Sequence, residues 1–263
     1  MKQRAKQQPG TTAAVTLSRR ALLSMALALC IQPAHAGLGE LLGRVTGSEQ
    51  PGRLAVVLVD VTGSIDSADW TLYERSVQTL IATNQPGDRI VLGTIGEQPI
   101  SKFITFADRS IARKHKRLED EAALKKANAA IGEDFTQLRA QASKPSKATY
   151  LLDSIAASGQ LFAQGRAKQQ ALTLLVLSDM VEESPIANFA RQPVDEIAGR
   201  KLIDARRTQG LLPDLTGVRV YVVGASGRSG EQMNRVQGFW RAFFSASGAT
   251  VQDYGRNPAE LAR

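Results

Sequence analysis

The sequence predicts a doubly wound α/β domain: a mostly parallel central sheet with helices on both faces and one antiparallel edge strand. Three observations predict it. LAVVLV (54–59) and ALTLLVL (171–177) are nearly continuous apolar runs, the pattern of strands buried on both faces, and VRVYVVG (218–224) supplies another strand. Segments of helical period separate these strands and are long enough for parallel crossovers. RIVLGTI (89–95) and PISKFITF (99–106) follow each other with no helix between them, as an antiparallel edge requires.

Taken in order, residues 37–52 are glycine-rich and end in Pro51-Gly52, so they read as a linker ahead of a domain at 53–263. After the first strand, Ser67 to Thr83 has helical period, with Trp70, Tyr73, Val77, Leu80 and Ile81 on one face and Ser67 or Asp66 as N-cap. Pro86 to Asp88 is a turn, and the two edge strands follow. A charged insertion at about 108–145 reads as one long helix or a helical pair, striped by Leu118, Ala122, Leu124, Ala127 and Ile131. Its cluster Arg113, Lys114, Lys116 and Arg117 reads as a solvated face, with a basic docking surface as the alternative. A helix opens at Thr149 and runs to about Gln164, followed by the strand ending at Asp179 and a helix from Val194 to Thr208. The chain closes with the 218–224 strand, a helix from Glu231 to Ser247 whose Phe239, Trp240, Phe243 and Phe244 are core residues, and a last strand at 249–254.

The first 36 residues carry different information. Lys2, Arg4, Lys6, Arg19 and Arg20 precede the apolar stretch 21–31, and Ala34-His35-Ala36 follows, which is the three-part pattern of a secretory signal peptide. The apolar run is too short to span a bilayer. SRRALL (18–23) resembles the twin-arginine export motif, with the general secretory route as the alternative. LALC (27–30) invites a lipoprotein reading at Cys30, but the bulky Leu29 precedes it, so cleavage is expected after Ala36. The chain is thus expected in the periplasm or secreted, meeting a membrane only through export or such an anchor. Five basic residues and no acid leave with the signal, taking the formal charge from +8 to +3 and removing the main argument for a nucleic-acid partner. Cys30 and His35 leave as well, so the mature chain has no cysteine and one histidine, His115. That excludes cysteine nucleophiles, disulfides, His/Cys zinc sites and a Ser-His-Asp triad.

Two central strands end in carboxylates, Asp60 in VVLVD and Asp179 in LLVLSD. In a parallel sheet both emerge at the carboxyl edge, where ligands of such sheets bind. Thr62 and Ser64 follow Asp60, and Thr149 opens the helix that leads into the second strand, with Ser146 or Ser143 as alternative sources of that oxygen. Five oxygen groups without nitrogen or sulfur favour Mg²⁺, or Mn²⁺ or Ca²⁺, over zinc or copper. Taken singly the same residues are ordinary turn and cap groups, and Asp153 and Ser154 read as ordinary helix residues.

Residues 52–255 resemble a von Willebrand factor type A domain, a vWA/Rossmann-like fold. The family's metal-ion-dependent adhesion site has a DxSxS motif after the first strand, a later threonine, and an aspartate after a further strand. Here DVTGS supplies Asp60, Thr62 and Ser64, KATYLLDSI supplies Thr149, and LVLSDM supplies Asp179, with Met180 where a glycine often follows. The resemblance implies that the hydroxyls of Thr62, Ser64 and Thr149 bind a divalent cation, with Asp60 and Asp179 acting directly or through water. One coordination position then stays open for an acidic residue of a protein partner, and no bond is cleaved.

Two rival readings are weaker. A haloacid-dehalogenase-type, Mg²⁺-dependent phosphatase needs a second aspartate two positions after the first, where this chain has Thr62. Gly224, Gly227 and Gly230 resemble a dinucleotide-binding turn, but only 33 residues follow Gly230, so a loop is the better account. A metal-free interaction module is the remaining alternative.

Overall fold

The computed structural model describes residues 51–98, 100–103, 105–142 and 145–255. The expected signal peptide at 1–36, with Cys30 and the expected cleavage point after Ala36, lies outside the described residues, as do Ser143 and all of the expected linker but Pro51 and Gly52. Among the described residues no helix is long and apolar enough to cross a membrane.

The described chain runs β1 (Arg53–Asp60), α1 (Ser67–Ala82), β2 (Arg89–Ile95), β3 (Thr105–Ser110), α2 (Arg117–Gln141), α3 (Leu151–Ala167), β4 (Ala171–Leu177), α4 (Glu196–Thr208), β5 (Val218–Val223), α5 (Gly230–Ala246) and β6 (Thr250–Gly255). Six strands form one sheet in the order β3-β2-β1-β4-β5-β6. Every pair is parallel except β2 with β3, so the doubly wound architecture and its antiparallel edge are as the sequence predicts.

Alternation explains the apolar runs. Leu54, Val56 and Leu58 of β1 point into one core with α3, α4 and α5, while Ala55, Val57 and Val59 point into the other with α1 and α2. Both faces of β1 are buried, and every residue between Arg53 and Asp60 is apolar. Helix α1 starts where its cap dictates: Asp66 accepts from the Ala68 and Asp69 amides, and Asp69 reciprocates on the Asp66 amide.

Three expectations on the β3 side are corrected. The stretch 99–106 is not one strand, because Ile100–Lys102 form a 3₁₀ turn and β3 begins at Thr105. The Phe103 ring lies over Gly93, where an added Cβ would sit 2.6 Å from the ring, and the Asp153 carboxylate accepts from the Ile100 amide at 3.2 Å. Those two contacts bend the chain before it can pair. Second, the insertion does not open as helix at 108, since residues 108–110 belong to β3 and the single helix α2 begins at Arg117. Third, the stripe of α2 is only partly the expected one, with Ile131 buried as predicted, Leu124 and Ala127 half-buried, and Ala122 exposed. Leu118 is 79% exposed, and burial falls on Ile131, Phe135 and Leu138, the turns that reach α1. Arg109 of β3 anchors this end through two 2.7 Å bonds to Asp134.

Candidate functional site

Register brings the candidate residues together. Val59 pairs with Leu177, so Asp60, one residue on, stands beside Ser178 at the carboxyl edge, and Leu177 in turn pairs with Val223 ahead of Gly224. Asp60 is completely buried. Its Oδ1 accepts from the Thr62 amide (3.0 Å) and the Thr62 hydroxyl (2.6 Å), and its Oδ2 accepts from the Ser178 hydroxyl (2.7 Å). The Thr62 and Ser64 hydroxyl oxygens lie 3.1 Å apart. A hydroxyl whose proton is committed to a carboxylate keeps its lone pairs for a second partner, which is the state a cation ligand requires.

The loop before α3 is stitched to the same edge. Thr62 bridges Ser146, the Ser146 amide donates to Val61, and Thr149 exchanges two backbone hydrogen bonds with Glu183 (3.1 and 2.9 Å). Thr149 is buried there. Ser146, the alternative oxygen source, is occupied by the loop itself, since its hydroxyl accepts from the Glu97 amide (2.7 Å) and meets the Ala148 carbonyl (3.1 Å).

Asp179 follows the end of β4, and its Oδ1 accepts from the Val181 amide at 2.9 Å. Met180 stands where the resembling motif often has glycine, and its φ is +67°, the left-handed conformation that explains the preference. It is tolerated because the Met180 side chain is fully buried in the core and its backbone is tied at both ends: its amide donates to Ser178 (3.0 Å) and its carbonyl accepts from the Trp240 indole (2.8 Å). The aromatic cluster of α5 thereby fixes the loop that carries Asp179. Phe239, Trp240, Phe243 and Phe244 are core, as the sequence predicts, and Gly224 and Gly227 lie in the loop leading into α5, whose first residue is Gly230.

The electrostatics have one sign. Burial, with the charge of Asp179 added, pushes the Asp60 carboxyl up to about 7, against three hydrogen bonds that favour its ionised form. Asp179 is raised by burial, offset by the Val181 amide and the Ser64 hydroxyl, and raised further by Glu183 and Asp69. Among the described residues neither Asp60 nor Asp179 forms an ion pair, and no group of three His, Cys, Asp or Glu side chains gathers in the way a metal site built from those residues would. The donor set is instead two carboxylates with hydroxyls between them. An all-oxygen set with uncompensated negative charge fits a hard divalent cation.

Sequence reasoning missed three contributors. Ser178 holds Asp60 in place, but its partnership follows from the β1–β4 register and no local motif marks it. Glu182, fully buried, accepts from the Leu152 amide (2.9 Å) at the first turn of α3, clamping that turn to the Asp179 loop, and burial pushes its carboxyl up to about 8. Asp153, read as an ordinary helix residue, is buried and paired with the equally buried Arg206 of α4 at 2.8 Å.

No protein-family model and no curated protein matches the chain. Solved structures align with it distantly and in part. The SpRpn10 VWA domain aligns at 12% identity and TM-score 0.38, over 80% of this chain and 90% of that one. Manganese-loaded TRAP protein from Plasmodium vivax gives 16% and 0.37, over 71% of this chain and 63% of that one. The pilus adhesin SpaC from Lactobacillus rhamnosus GG, in its open conformation, gives 11% and 0.43, over 80% of this chain and only 28% of that one. Of these three, this chain spans less than two thirds of the last two.

Proposed function

We propose that this chain is an exported, non-enzymatic interaction module. In this reading Thr62, Ser64 and Thr149 hold Mg²⁺, or Mn²⁺ or Ca²⁺, through their hydroxyls, and the carboxylates of Asp60 and Asp179 supply the negative charge. The single observation that carries it is the meeting, at one sheet edge, of two carboxylates that have no counter-cation among the described residues and a pair of hydroxyls 3.1 Å apart. Held largely by neutral hydroxyls, a divalent cation keeps enough positive charge to accept a carboxylate from outside. The partner is therefore a protein offering an acidic side chain, and the setting is the periplasm or the exterior, reached through the signal at 1–36.

The phosphatase reading loses its chemistry at Thr62. The position that would need a free acid carries a hydroxyl already bonded to Asp60 at 2.6 Å. A metal-free module is favoured by one observation, that Asp60 already accepts three hydrogen bonds from the chain. Affinity capture of envelope proteins separates the two. Partners retained in Mg²⁺ and released both by chelator and by Thr62→Ala support the cation-dependent reading, whereas retention unchanged in chelator rejects it.

A further inference from the structure

Tyr73 of α1 brings a hydroxyl to the underside of the same edge. Its ring is completely buried and edge-to-face with Trp70 at 5.7 Å between centroids, and its hydroxyl has no hydrogen-bond partner among the described residues. An added Cβ at Gly224 would lie 2.8 Å from the Tyr73 Cε1, 3.1 Å from its hydroxyl oxygen and 3.2 Å from the Ser178 carbonyl oxygen. The phenol end therefore sits between the ends of β4 and β5, next to the residue that holds Asp60. Gly224 has φ +96°, so both its backbone conformation and the phenol reserve that position for glycine.

A buried donor without a partner costs about 1–3 kcal/mol, and phenylalanine would fill the same ring volume without that cost. The groups nearest in charge are acids the phenol does not bond. After burial, Asp60 and then Asp179 are what hold its proton on. Asp60 has its own three hydrogen bonds from Thr62 and Ser178, so the phenol is answered by something outside the chain. An unpartnered buried phenol beside Ser178, whose hydroxyl donates to Asp60 at 2.7 Å, is the kind of group that a buried water with two to four polar partners satisfies.

We propose that Tyr73 is a positioning residue of the cation site: its hydroxyl anchors a buried water that bridges to Asp60 and Asp179, and through that water it orients the hydrated cation. This rests on the cation-binding reading above. Outer-shell groups of this kind change metal affinity by about 10–100-fold when removed.

The test is Tyr73→Phe, which keeps the ring and removes only the hydroxyl. Mg²⁺ and Mn²⁺ titrations by calorimetry are expected to show one site in both proteins, bound about tenfold more weakly in the variant. Adding Mg²⁺ to the wild type is expected to give a tyrosine ultraviolet difference spectrum that the variant lacks, a signature that a purely structural tyrosine would not produce. In chelator, the variant's thermal midpoint is expected to be lower, because the water loses an anchor. If the wild type binds but Tyr73→Phe binds equally well, this inference is overturned while the cation site stands. If the wild type binds neither ion, both fall together.

Discussion

Asp60 is the residue on which the site turns, because its burial and its neighbour Asp179 both resist ionisation. Its folded pKa of about 7 lies above the ordinary carboxylate value of 3.8, so the stability it contributes is present at low pH and is lost as pH rises through 7. A bound cation acts in the opposite direction by favouring the ionised form. In chelator the thermal midpoint should therefore fall from about pH 4 to about pH 7, with no further loss from Asp60 above that, and Mg²⁺ should restore it, with a larger upward shift at pH 8 than at pH 5. Asp60→Asn should lose both effects. Glu182 follows the same sign at about 8: its contribution is lost as pH rises through that value, by an amount on the order of a few kcal/mol. Glu182→Gln keeps an acceptor for the Leu152 amide, so it should flatten the part of the decline that Mg²⁺ does not restore. That Asp60, Thr62, Ser64 and Asp179 stand at one sheet edge was legible from the sequence, because strand ends and hydroxyl spacing are local. Ser178 and Tyr73 were not, since they meet Asp60 or its surroundings only through sheet register and helix packing.

At the scale of elements, the loop after β4 concentrates the strain and the constraints. Met180→Gly relieves a left-handed backbone but empties a fully buried position, and the second effect should win, for a net loss of about 2 kcal/mol by denaturant unfolding. Ser178→Ala leaves Asp60 Oδ2 and the Met180 amide without their donor and acceptor, and should cost about 2–3 kcal/mol. The buried strands were legible because both faces of β1 and β4 are apolar. The α2 stripe was legible only in part, because its periodicity continues into N-terminal turns that are exposed or half-buried, and its fully buried apolar side chains, Ile131, Phe135 and Leu138, lie in the C-terminal half. The 3₁₀ turn before β3 was hidden for a related reason. Its sequence reads as a strand, and Phe103 over Gly93 together with the Asp153 carboxylate overrides it.

At the scale of the molecule, the described residues form one sheet with a core on each face, and the site sits where the strand ends of β1 and β4 meet loops braced from both sides. Trp240 braces from one face and α1, with its capped start just after Ser64, from the other. Arg206 and Asp153 link α4 to α3 behind the Thr149 loop. Arg206→Met should leave Asp153 uncompensated and cost about 3–5 kcal/mol, measurable by chemical denaturation. The fold class followed from the order of buried runs and helical segments alone. The proposed function depends on a cation, and calorimetric titration of the wild-type protein and of Asp60→Asn with Mg²⁺ at pH 8 tests that claim most directly. Saturable single-site binding in the wild type, lost in Asp60→Asn, is the predicted result; no binding in the wild type, or equal binding in both, would contradict it.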